Sequence, residues 1–304
     1  MNQANTAPAE NDRFFDDLFA ALPALAPHHI RTSATYRLLA GAARHHVAAT
    51  FSGTDETAHP FGPFGPLRFP YHSMGNVDSL DLFGLDELII LAFYWQNRGR
   101  YRRVADLGAN IGLHSIALHR CGFEVTCFEP DPDTHSLLAA NLARNDAAVT
   151  ANQAAVSVEA GQCEFVRVNG NRTGSHLAGA KNKPYGDLER FPVTLSAFGP
   201  IAEWADLMKI DVEGHEAVLI ESTDHDLWSG VDAMIEVGTP ENAQKVFRHL
   251  TAINVNMFSQ KVGWGPVQTV EDVPVGHQEG SLFITTKTTM PWTGSPADHE
   301  RSAD

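Results

Sequence analysis

The stretch Val104-Ala105-Asp106-Leu107-Gly108-Ala109-Asn110-Ile111-Gly112 decides the fold of this chain. It is an apolar run that ends in an acid and passes through a glycine-spaced turn into a helical pattern. A second apolar run, from Phe123 to Phe128, ends in Glu129-Pro130-Asp131. A strand, a tight turn, a helix and a second strand that ends in an acid form a unit that binds nucleosides in α/β proteins. The pattern predicts a nucleoside site in which the glycines admit the ligand and Glu129 accepts both ribose hydroxyls.

Three kinds of ligand compete for the glycine turn. A dinucleotide site needs G-x-G-x-x-G, whereas Asn110 stands here in place of the middle glycine. A phosphate-binding P-loop ends in G-K-[ST], and Gly112-Leu113-His114 supplies neither the lysine nor the hydroxyl. The third kind is cationic, because Asp106 at the strand end attracts positive charge and repels a pyrophosphate. S-adenosylmethionine fits this third kind, although an ordinary corner with Asn110 as a helix cap is the structural alternative.

A second signature lies further along the chain, in Lys209-Ile210-Asp211-Val212-Glu213-Gly214. Together with the Asp106–Gly112 turn and Phe128-Glu129-Pro130, it resembles the FkbM family of class I S-adenosylmethionine-dependent methyltransferases. Members of that family show D-x-G-A-N-x-G, F-E-P and K-I-D-x-E-G in this order. The resemblance covers roughly residues 80 to 260, and the first 75 or so residues carry none of the family's motifs.

The resemblance implies an α/β fold, namely a Rossmann-like seven-stranded class I methyltransferase sheet with helices on both faces, here with an N-terminal helical appendage. It implies S-adenosyl-L-methionine as the cofactor and O-methylation of a hydroxyl on a sugar, glycan or secondary metabolite. The implied partner is therefore a small-molecule or carbohydrate acceptor. The residues that the resemblance assigns to the cofactor are Asp106, Gly108, Asn110, Gly112, His114, Glu129, Pro130, Asp131 and Ala154.

The charged residues after the Lys209 strand are the candidates for catalysis. An alcohol is almost fully protonated at neutral pH, so a positioned base should accelerate its methylation by roughly 10²–10⁴-fold. Asp211, Glu213 and His215 are the predicted catalytic residues, and Glu236 follows a neighbouring predicted strand. His215 has the ordinary pKa best suited to the task, while helix capping and a helix-dipole contact are equally good roles for the two acids. Lys209 is interpreted as an internal partner for one of these acids, and no metal is predicted because the spacing is no metal signature.

Composition indicates a cytoplasmic protein that acts on neither nucleic acids nor membranes. The chain carries 37 acids against 22 bases, for a formal net charge of −15. Such a surface repels nucleic-acid phosphates, which disfavours a DNA or RNA methyltransferase. No apolar run approaches the roughly 20 residues that span a bilayer, and segment 1–10 is unlike a signal peptide. The 3 cysteines lack C-x-x-C spacing and are expected to be reduced thiols.

The chain is predicted to contain a disordered tail (1–10), an N-terminal helical or lid appendage (11–75), a methyltransferase domain (76–288) and a second disordered tail (289–304). Helical spacing marks segments that begin near residues 15, 33 and 85. The proline-rich connector 53–70 is interpreted as extended, with its aromatic residues forming either a lid over the site or a strap on the sheet. Strands are predicted near 103–107, 123–128, 149–153, 207–211, 233–237, 256–260 and 281–286, with a hairpin strand at 163–169.

Two further functions remain open at this point. One is an NAD(P)-dependent oxidoreductase, which Asn110 in the glycine turn disfavours. The other is a non-catalytic protein that keeps the cofactor pocket without turnover. The polar loop from Asn169 to His176 offers hydrogen bonds that suit a glycan, or only solvent.

Overall fold

A computed structural model describes residues 13–171, 174–180, 186–276 and 278–292 of the chain. The α-helices are α1 (Phe14–Ala21), α2 (Ala34–Phe51), α3 (Leu85–Gln96), α4 (Leu113–Arg120), α5 (Pro132–Arg144), α6 (Phe198–Trp204), α7 (Glu216–Glu221), α8 (His225–Trp228) and α9 (Pro240–Ala252). The strands are β1 (His59–Pro60), β2 (Pro66–Leu67), β3 (Arg103–Leu107), β4 (Glu124–Phe128), β5 (Thr150–Asn152), β6 (Ala155–Ser157), β7 (Gly161–Asn169), β8 (His176–Leu177), β9 (Asp187–Ala197), β10 (Leu207–Ile210), β11 (Asp232–Ile235), β12 (Asn256–Ser259), β13 (Gly265–Pro266) and β14 (Leu282–Thr285).

The main sheet runs in the order β13-β12-β14-β11-β10-β3-β4-β5. Strands β11, β10, β3, β4 and β5 are parallel, whereas β14 lies antiparallel between β11 and β12. All the predicted strands of this sheet are present near their predicted bounds, which confirms the Rossmann-like α/β fold. Among the described residues the sheet has one more strand than predicted, β13. The sequence did not reveal it, because a strand of two residues shows no periodic pattern.

The two faces of the main sheet pack into separate apolar cores. Val104 and Phe283 belong to the core that includes α3, α4 and α5. Ala105 and Ile284, their neighbours in sequence, belong to the core that includes α6, α7 and α9. This alternation follows from the pleat of a strand, and it confirms helices on both faces. Because the central strands are covered on both sides, a ligand reaches this part of the sheet at the strand ends.

A second, smaller sheet in the order β6-β9-β7-β8 lies between β5 and β10 in the chain. The predicted hairpin strand is β7, which pairs antiparallel with β9 from Gly161 opposite Leu195 to Asn169 opposite Asp187. Its length and its other partners were not predicted. The first four residues of β9 are Asp187-Leu188-Glu189-Arg190, a polar run without the alternation that marks a half-buried strand. Pairing with β7, rather than local pattern, makes this segment a strand.

The N-terminal region (residues 13–84) packs on the main sheet and shares its apolar core. Helices α1 and α2 confirm the predicted helical segments. After α1 the chain continues as a 3-10 helix, Leu22–His28, with Pro23 at its start. A proline is tolerated at the first positions of a helix, where its missing N–H has no intrahelical partner.

The proline-rich connector 53–70 packs its aromatic residues as a strap and not as a lid. Phe61, Phe64 and Phe69 are all buried. Phe61 packs edge-on against Phe83, with ring centroids 5.5 Å apart, and Phe51 stacks on the same ring at 4.6 Å. Such aromatic pairs add about 0.5–1.5 kcal/mol each beyond the area that they bury.

The predicted tails lie mostly outside the described residues, which begin at residue 13 and end at residue 292. The second tail was predicted to begin at 289, but Trp292 is buried against Phe93 and Trp264 with ring centroids 5.6 Å apart in both pairs. The residues after Trp292 are polar or small, and a single tryptophan beside them forms no periodic pattern, so the sequence did not reveal this anchor. In the described parts of the chain, no helix combines the length and apolarity that crossing a membrane requires.

Candidate active site

A cavity of about 300 Å³ opens at the carboxyl edge of the parallel strands. Its walls come from the loops after β3, β4, β10 and β11, from the N-terminal region with the start of α3, and from the second sheet. Open α/β sheets bind their ligands at this edge, and small-molecule pockets measure about 300–1,000 Å³. The cavity is therefore the candidate active site.

The turn after β3 has a left-handed backbone at Gly108 (φ 81°), Asn110 (φ 50°) and Gly112 (φ 95°). A Cβ on Gly108 would lie 1.7 Å from the carbonyl oxygen of Asp211, so only glycine fits there. Asparagine is one of the few residues that tolerate a positive φ, which explains how Asn110 replaces a glycine. Gly108 and Asn110 line the cavity. Gly112 occupies the N-cap position of α4 and packs against Leu138, so Asn110 is not the helix cap.

Glu129 lies just beyond β4 and lines the cavity. Its Oε2 accepts the backbone N–H of Asn110 and its Oε1 accepts that of Asp131, both at 3.0 Å. Burial raises the pKa of Glu129 to about 8, although these two donors oppose the rise. Each carboxylate oxygen retains a second lone pair, so the group can accept two hydrogen bonds from a vicinal diol.

Asp106 is fully buried near the end of β3, behind the glycine turn. Its Oδ2 accepts the hydroxyl of Ser115 at 2.6 Å. Its Oδ1 has no hydrogen-bond partner within the described residues, and the Lys209 ammonium lies 3.7 Å away. A buried acceptor without a donor costs about 1–3 kcal/mol, and more for a charged group. Asp106 itself does not line the cavity, so its negative charge acts there from behind the glycine turn.

Lys209 is the internal cation that the sequence predicted. Its Nζ donates to the carbonyl oxygen of Gly108 at 2.9 Å and to Oδ2 of Asp211 at 3.3 Å. Burial opposes the charge of Lys209, but the carboxylates of Asp211 and Asp106 outweigh it and raise its pKa above the ordinary value. The predicted partnership is confirmed, and its effect is to fix Asp211 against the glycine turn.

Three carboxyl groups, those of Asp211, Glu213 and Glu236, form one acidic side of the cavity. Glu213 adopts a positive φ of 53°, a conformation that costs roughly 1–2 kcal/mol for a residue with a Cβ. The pKa of Glu236 is raised well above its ordinary value, chiefly by burial and then by the negative charges of Asp211, Glu87 and Glu213. A carboxyl group in a cleft whose pKa is raised by burial and by like charges is a candidate for proton transfer.

Four predicted site residues do not line the cavity: Asp106 and Gly112, described above, and the two histidines, His215 and His114. His215 Nε2 lies 3.1 Å from the hydroxyl of Ser157, and burial lowers the pKa of His215. His114 Nε2 lies 2.8 Å from Oε2 of Glu87, and its Nδ1 lies 3.2 Å from the hydroxyl of Tyr94. Sequence position at a helix start does not reveal which way a ring points, and both rings point into the protein.

Pro130, Asp131 and Ala154 line the cavity. The carboxylate of Asp131, however, is engaged by the protein itself. It accepts two backbone N–H groups of the first turn of α5, at 2.9 and 3.3 Å, and it pairs with Arg167 at 2.6 Å. Asp131 is therefore a helix cap and an ion-pair partner at the rim of the site.

The walls opposite the motif loops were largely missed by the sequence reasoning, although Ser175 and His176 belong to the polar loop that was predicted to suit a glycan or only solvent. One is the segment from Met74 to Glu87 together with Arg31, and the other is Phe165 with Ser175–Leu177. These residues match no motif, and only the acids at the start of α3 carried a local signal, typical of any helix N-terminus. The described residues contain no group of three or more His, Cys, Asp and Glu side chains placed to hold a metal ion.

Arg31 is held at the cavity wall by Asp86. Oδ2 of Asp86 accepts Nε of Arg31 at 3.0 Å and the hydroxyl of Tyr36 at 2.8 Å. The side chain of Gln260 donates to Oδ1 of the same carboxylate. Burial raises the pKa of Asp86, while these donors oppose the rise. This network joins the N-terminal region to the edge of the main sheet.

The order of the main sheet and the glycine turn at its edge define a class I methyltransferase fold. The model of the methyltransferase FkbM domain matches residues 106–259 of the chain. This is about half of the sequence, and the chain belongs to the FkbM methyltransferase family. It is a methyltransferase with S-adenosylmethionine as its cofactor, so the oxidoreductase alternative is not supported.

The individual proteins that the chain resembles share little sequence identity with it. Methyltransferase sdnD of Sordaria araneosa is 27% identical over an alignment of 201 residues, with coverage of 54% of this chain and 78% of that protein. An O-methyltransferase from Bacillus cereus, solved in complex with SAH, is 14% identical, with a TM-score of 0.34 and coverage of 64% of this chain and 77% of that one. A SAM-dependent methyltransferase from Agrobacterium tumefaciens is 9% identical, with a TM-score of 0.36 and coverage of 66% and 62%. Overlaps of this size carry no information on the acceptor.

The residues of the cavity fit S-adenosylmethionine chemically. The buried Oδ1 of Asp106 lacks a hydrogen-bond donor among the described residues, and the cofactor brings an ammonium and a sulfonium. Glu129 offers two acceptor oxygens to a ribose, and the apolar side chains of Phe128 and Ala154 line the wall beside it. A phosphorylated ligand would instead meet the acids of this edge and be repelled.

Proposed function

We propose that this methyltransferase transfers a methyl group from S-adenosylmethionine to a hydroxyl oxygen of a sugar, glycan or secondary metabolite. The observation that supports hydroxyl methylation most directly is Glu236, a cavity-lining carboxyl group with a raised pKa. A hydroxyl acceptor must lose its proton during transfer, and a carboxylate whose pKa is raised binds that proton more firmly than an ordinary carboxylate.

The proposed cofactor contacts follow the strand ends. Glu129 accepts the two ribose hydroxyls, and Phe128 and Ala154 bound the adenine. The backbone of Gly108 and Asn110 lies along the methionine portion, with the charge of Asp106 behind it. When bound, S-adenosylmethionine supplies a methyl group made electrophilic by its positively charged sulfur.

The proposed base is Glu236. As the bond between the acceptor oxygen and the methyl carbon forms and the carbon–sulfur bond breaks, the hydroxyl proton passes to a carboxylate oxygen of Glu236. The carboxylate of Asp211 is already paired with the Lys209 ammonium at 3.3 Å. Its proposed task is to orient the acceptor hydroxyl, and Glu213 beside it shares that task. His215 lies outside the cavity, which argues against its predicted catalytic role.

The rest of the cavity excludes water and aligns the reactants. Met74 and Leu82 line the wall from the N-terminal region, and Phe165 and Leu177 line it from the second sheet. Apolar walls strengthen the electrostatic contacts inside. An approach of roughly 3–3.5 Å between acceptor oxygen and methyl carbon is then the main requirement for transfer.

The test is a transfer assay with methyl-labelled S-adenosylmethionine and a panel of sugars, glycans and hydroxylated metabolites. We expect label in at least one O-methyl ether, identified by mass spectrometry and by its methoxy NMR signal. The matched control is Glu236→Gln, which keeps the size of the side chain and removes the base. Label found only on nitrogen or sulfur acceptors would refute hydroxyl methylation, and tight cofactor binding without transfer to any acceptor pool would favour a non-catalytic protein.

A further inference from the structure

Arg167 of β7 makes the densest set of ion pairs at the rim of the cavity. Its Nε donates to Oδ2 of Asp131 at 2.6 Å and its Nη2 donates to Oδ1 at 2.7 Å, a bidentate pair in which both side chains are buried. Its Nη1 reaches Glu189 at 2.8 Å and Asp133 at 3.2 Å. The guanidinium also lies 4.8 Å from the ring centroid of Phe191. Arg167 is therefore fixed in position and direction.

This pair connects the second sheet to the carboxylate that faces the cavity. Asp131, held by Arg167, donates its own backbone N–H to Oε1 of Glu129 at 3.0 Å. The same β7 strand carries Phe165, two residues before Arg167, which lines the cavity. Residues two apart on a strand share a face, so one face of β7 both covers the cavity and grips the loop after β4.

We propose that Arg167 is a positioning residue for the cofactor: from the second sheet, and through Asp131, it sets the place and the charge of the Glu129 carboxylate that binds the ribose. The proposal rests on the assignment of Glu129 to the ribose. Arg167 itself does not line the cavity. It lies in a part of the chain that none of the three sequence motifs includes.

The pKa of Glu129 depends on the groups that face its carboxyl group. These are the Asp131 carboxylate beside it, the Lys209 ammonium of β10 and the Cys127 thiol of β4, which burial keeps neutral by raising its pKa to about 12. Burial and the negative charge of Asp131 raise the pKa of Glu129, and Lys209 lowers it. Arg167 neutralises Asp131, so its removal leaves a like charge next to Glu129 and raises the pKa of Glu129 further. A neighbouring opposite or like charge shifts a pKa by about 1 unit or more.

The experiment measures the affinity for S-adenosylhomocysteine by calorimetry between pH 6.5 and 9.5 in Arg167→Gln and Asp131→Asn. For Arg167→Gln we expect affinity about tenfold weaker at pH 7, since one pKa unit is one decade of the ionised fraction. This deficit should narrow as the pH rises, because the ionised form then dominates in both proteins. For Asp131→Asn we expect the opposite shift, toward tighter binding at pH 7, because asparagine still caps the helix while the positive charge of Arg167 stays.

The matched control is Arg190→Gln. Arg190 lies on β9 of the same sheet and makes an exposed ion pair with Glu164 at 2.7 Å. We expect its affinity to stay within about twofold of the wild type, since exposed pairs contribute only about 0–1 kcal/mol. Equal affinity in Arg167→Gln and wild type, or a deficit of constant size at every pH, would overturn the proposal.

A further variant separates this proposal from the proposed function. If Glu129→Gln binds S-adenosylhomocysteine as tightly as wild type, the ribose assignment itself fails. If Glu129→Gln is weak while Arg167→Gln is normal, only the positioning role fails. Should Arg167→Gln not fold, Asp131→Asn carries the test, and an unchanged or upward shift of its pH midpoint would refute the role of charge.

Discussion

Glu129 and Glu236 are the same residue type at the same edge of the main sheet, yet their surroundings differ. They follow β4 and β11, which are three strand spacings apart in the sheet, or about 14 Å at about 4.8 Å per spacing. Burial raises the pKa of both. Glu129 receives two backbone N–H groups at 3.0 Å, whereas the described residues show no hydrogen bond to the side chain of Glu236.

The comparison teaches that donors, rather than burial, separate a binding carboxylate from a reacting one. Backbone donors fix the oxygens of Glu129 and aim their remaining lone pairs. Glu236 instead faces other carboxylates, whose negative charges favour its protonated form. We therefore assign recognition to the β4 end of the cavity and proton transfer to the β11 end.

Removing the carboxylate of Glu236 should give the largest effect and test the assignment of proton transfer. For Glu236→Gln we expect kcat to fall by about 10²–10⁴-fold, the range for loss of a general base. Affinity for S-adenosylhomocysteine should stay within about threefold, as measured by calorimetry. A variant that keeps its kcat would place the base elsewhere.

Gly108 links the two ends of the cavity, because it follows β3 and its Cα faces the carbonyl oxygen of Asp211. For Gly108→Ala we expect a loss of about 3–5 kcal/mol in the free energy of unfolding, from the clash at 1.7 Å and the positive φ. Urea denaturation measures this loss. Gly199→Ala is the control, since a Cβ there meets nothing within 4 Å in α6, and alanine favours a helix by up to about 1 kcal/mol. Equal stability of the two variants would contradict the turn geometry.

Truncating Glu129 tests the recognition end. For Glu129→Ala we expect affinity for S-adenosylhomocysteine to fall by about 10- to 100-fold, since a hydrogen bond to a charged group contributes about 1.5–3 kcal/mol. Glu124→Ala, at the exposed start of the same strand, is the matched control. If calorimetry finds that both variants bind S-adenosylhomocysteine with wild-type affinity, the ribose assignment is refuted.

The pH dependence of binding sharpens the same assignment. Only the ionised carboxylate accepts both ribose hydroxyls, and the pKa of Glu129 is raised to about 8. Affinity for S-adenosylhomocysteine should therefore fall as the pH drops through 8, to about one-tenth between pH 9 and pH 7. In Glu129→Ala this dependence should vanish. A wild-type affinity that is constant over the range would show that Glu129 is ionised throughout.

His215 should give the smallest effect, because its ring is bonded to Ser157 outside the cavity. For His215→Asn we expect kcat to change by less than about threefold and the thermal midpoint to fall slightly. A loss above about 100-fold in steady-state kcat would restore His215 as the base and break the assignment to Glu236.

The fold and the recognition end were predictable because they depend on local pattern. The turn from Gly108 to Gly112 and the acid after β4 stand at fixed positions beside buried strands, so their place at one edge follows from the parallel sheet. The proton-transfer end was less predictable. Glu236 follows a predicted strand, but its raised pKa comes from burial and from the charges of two other segments, Glu87 of α3 and Asp211 and Glu213 after β10, which sequence spacing does not bring together.

The opposing walls were predictable only in part, through the strand near 163–169 and the polar loop that follows it. Arg31 reaches the cavity because a network around Asp86 holds it there, and Phe165 does so because β7 pairs with an irregular polar strand. Such contacts join residues that are far apart in the chain and match no period. The sequence placed His114 and His215 in the site because each stands at the start of a helix. That position does not fix the direction of a side chain, and neither residue lines the cavity.

The family match begins at residue 106, whereas one whole wall of the cavity is built from Arg31 and from residues 74–87. The loops that match the family and this wall are thus encoded in different stretches of the chain. Substitutions in the earlier stretch can change the shape of the wall while the matched loops stay as they are.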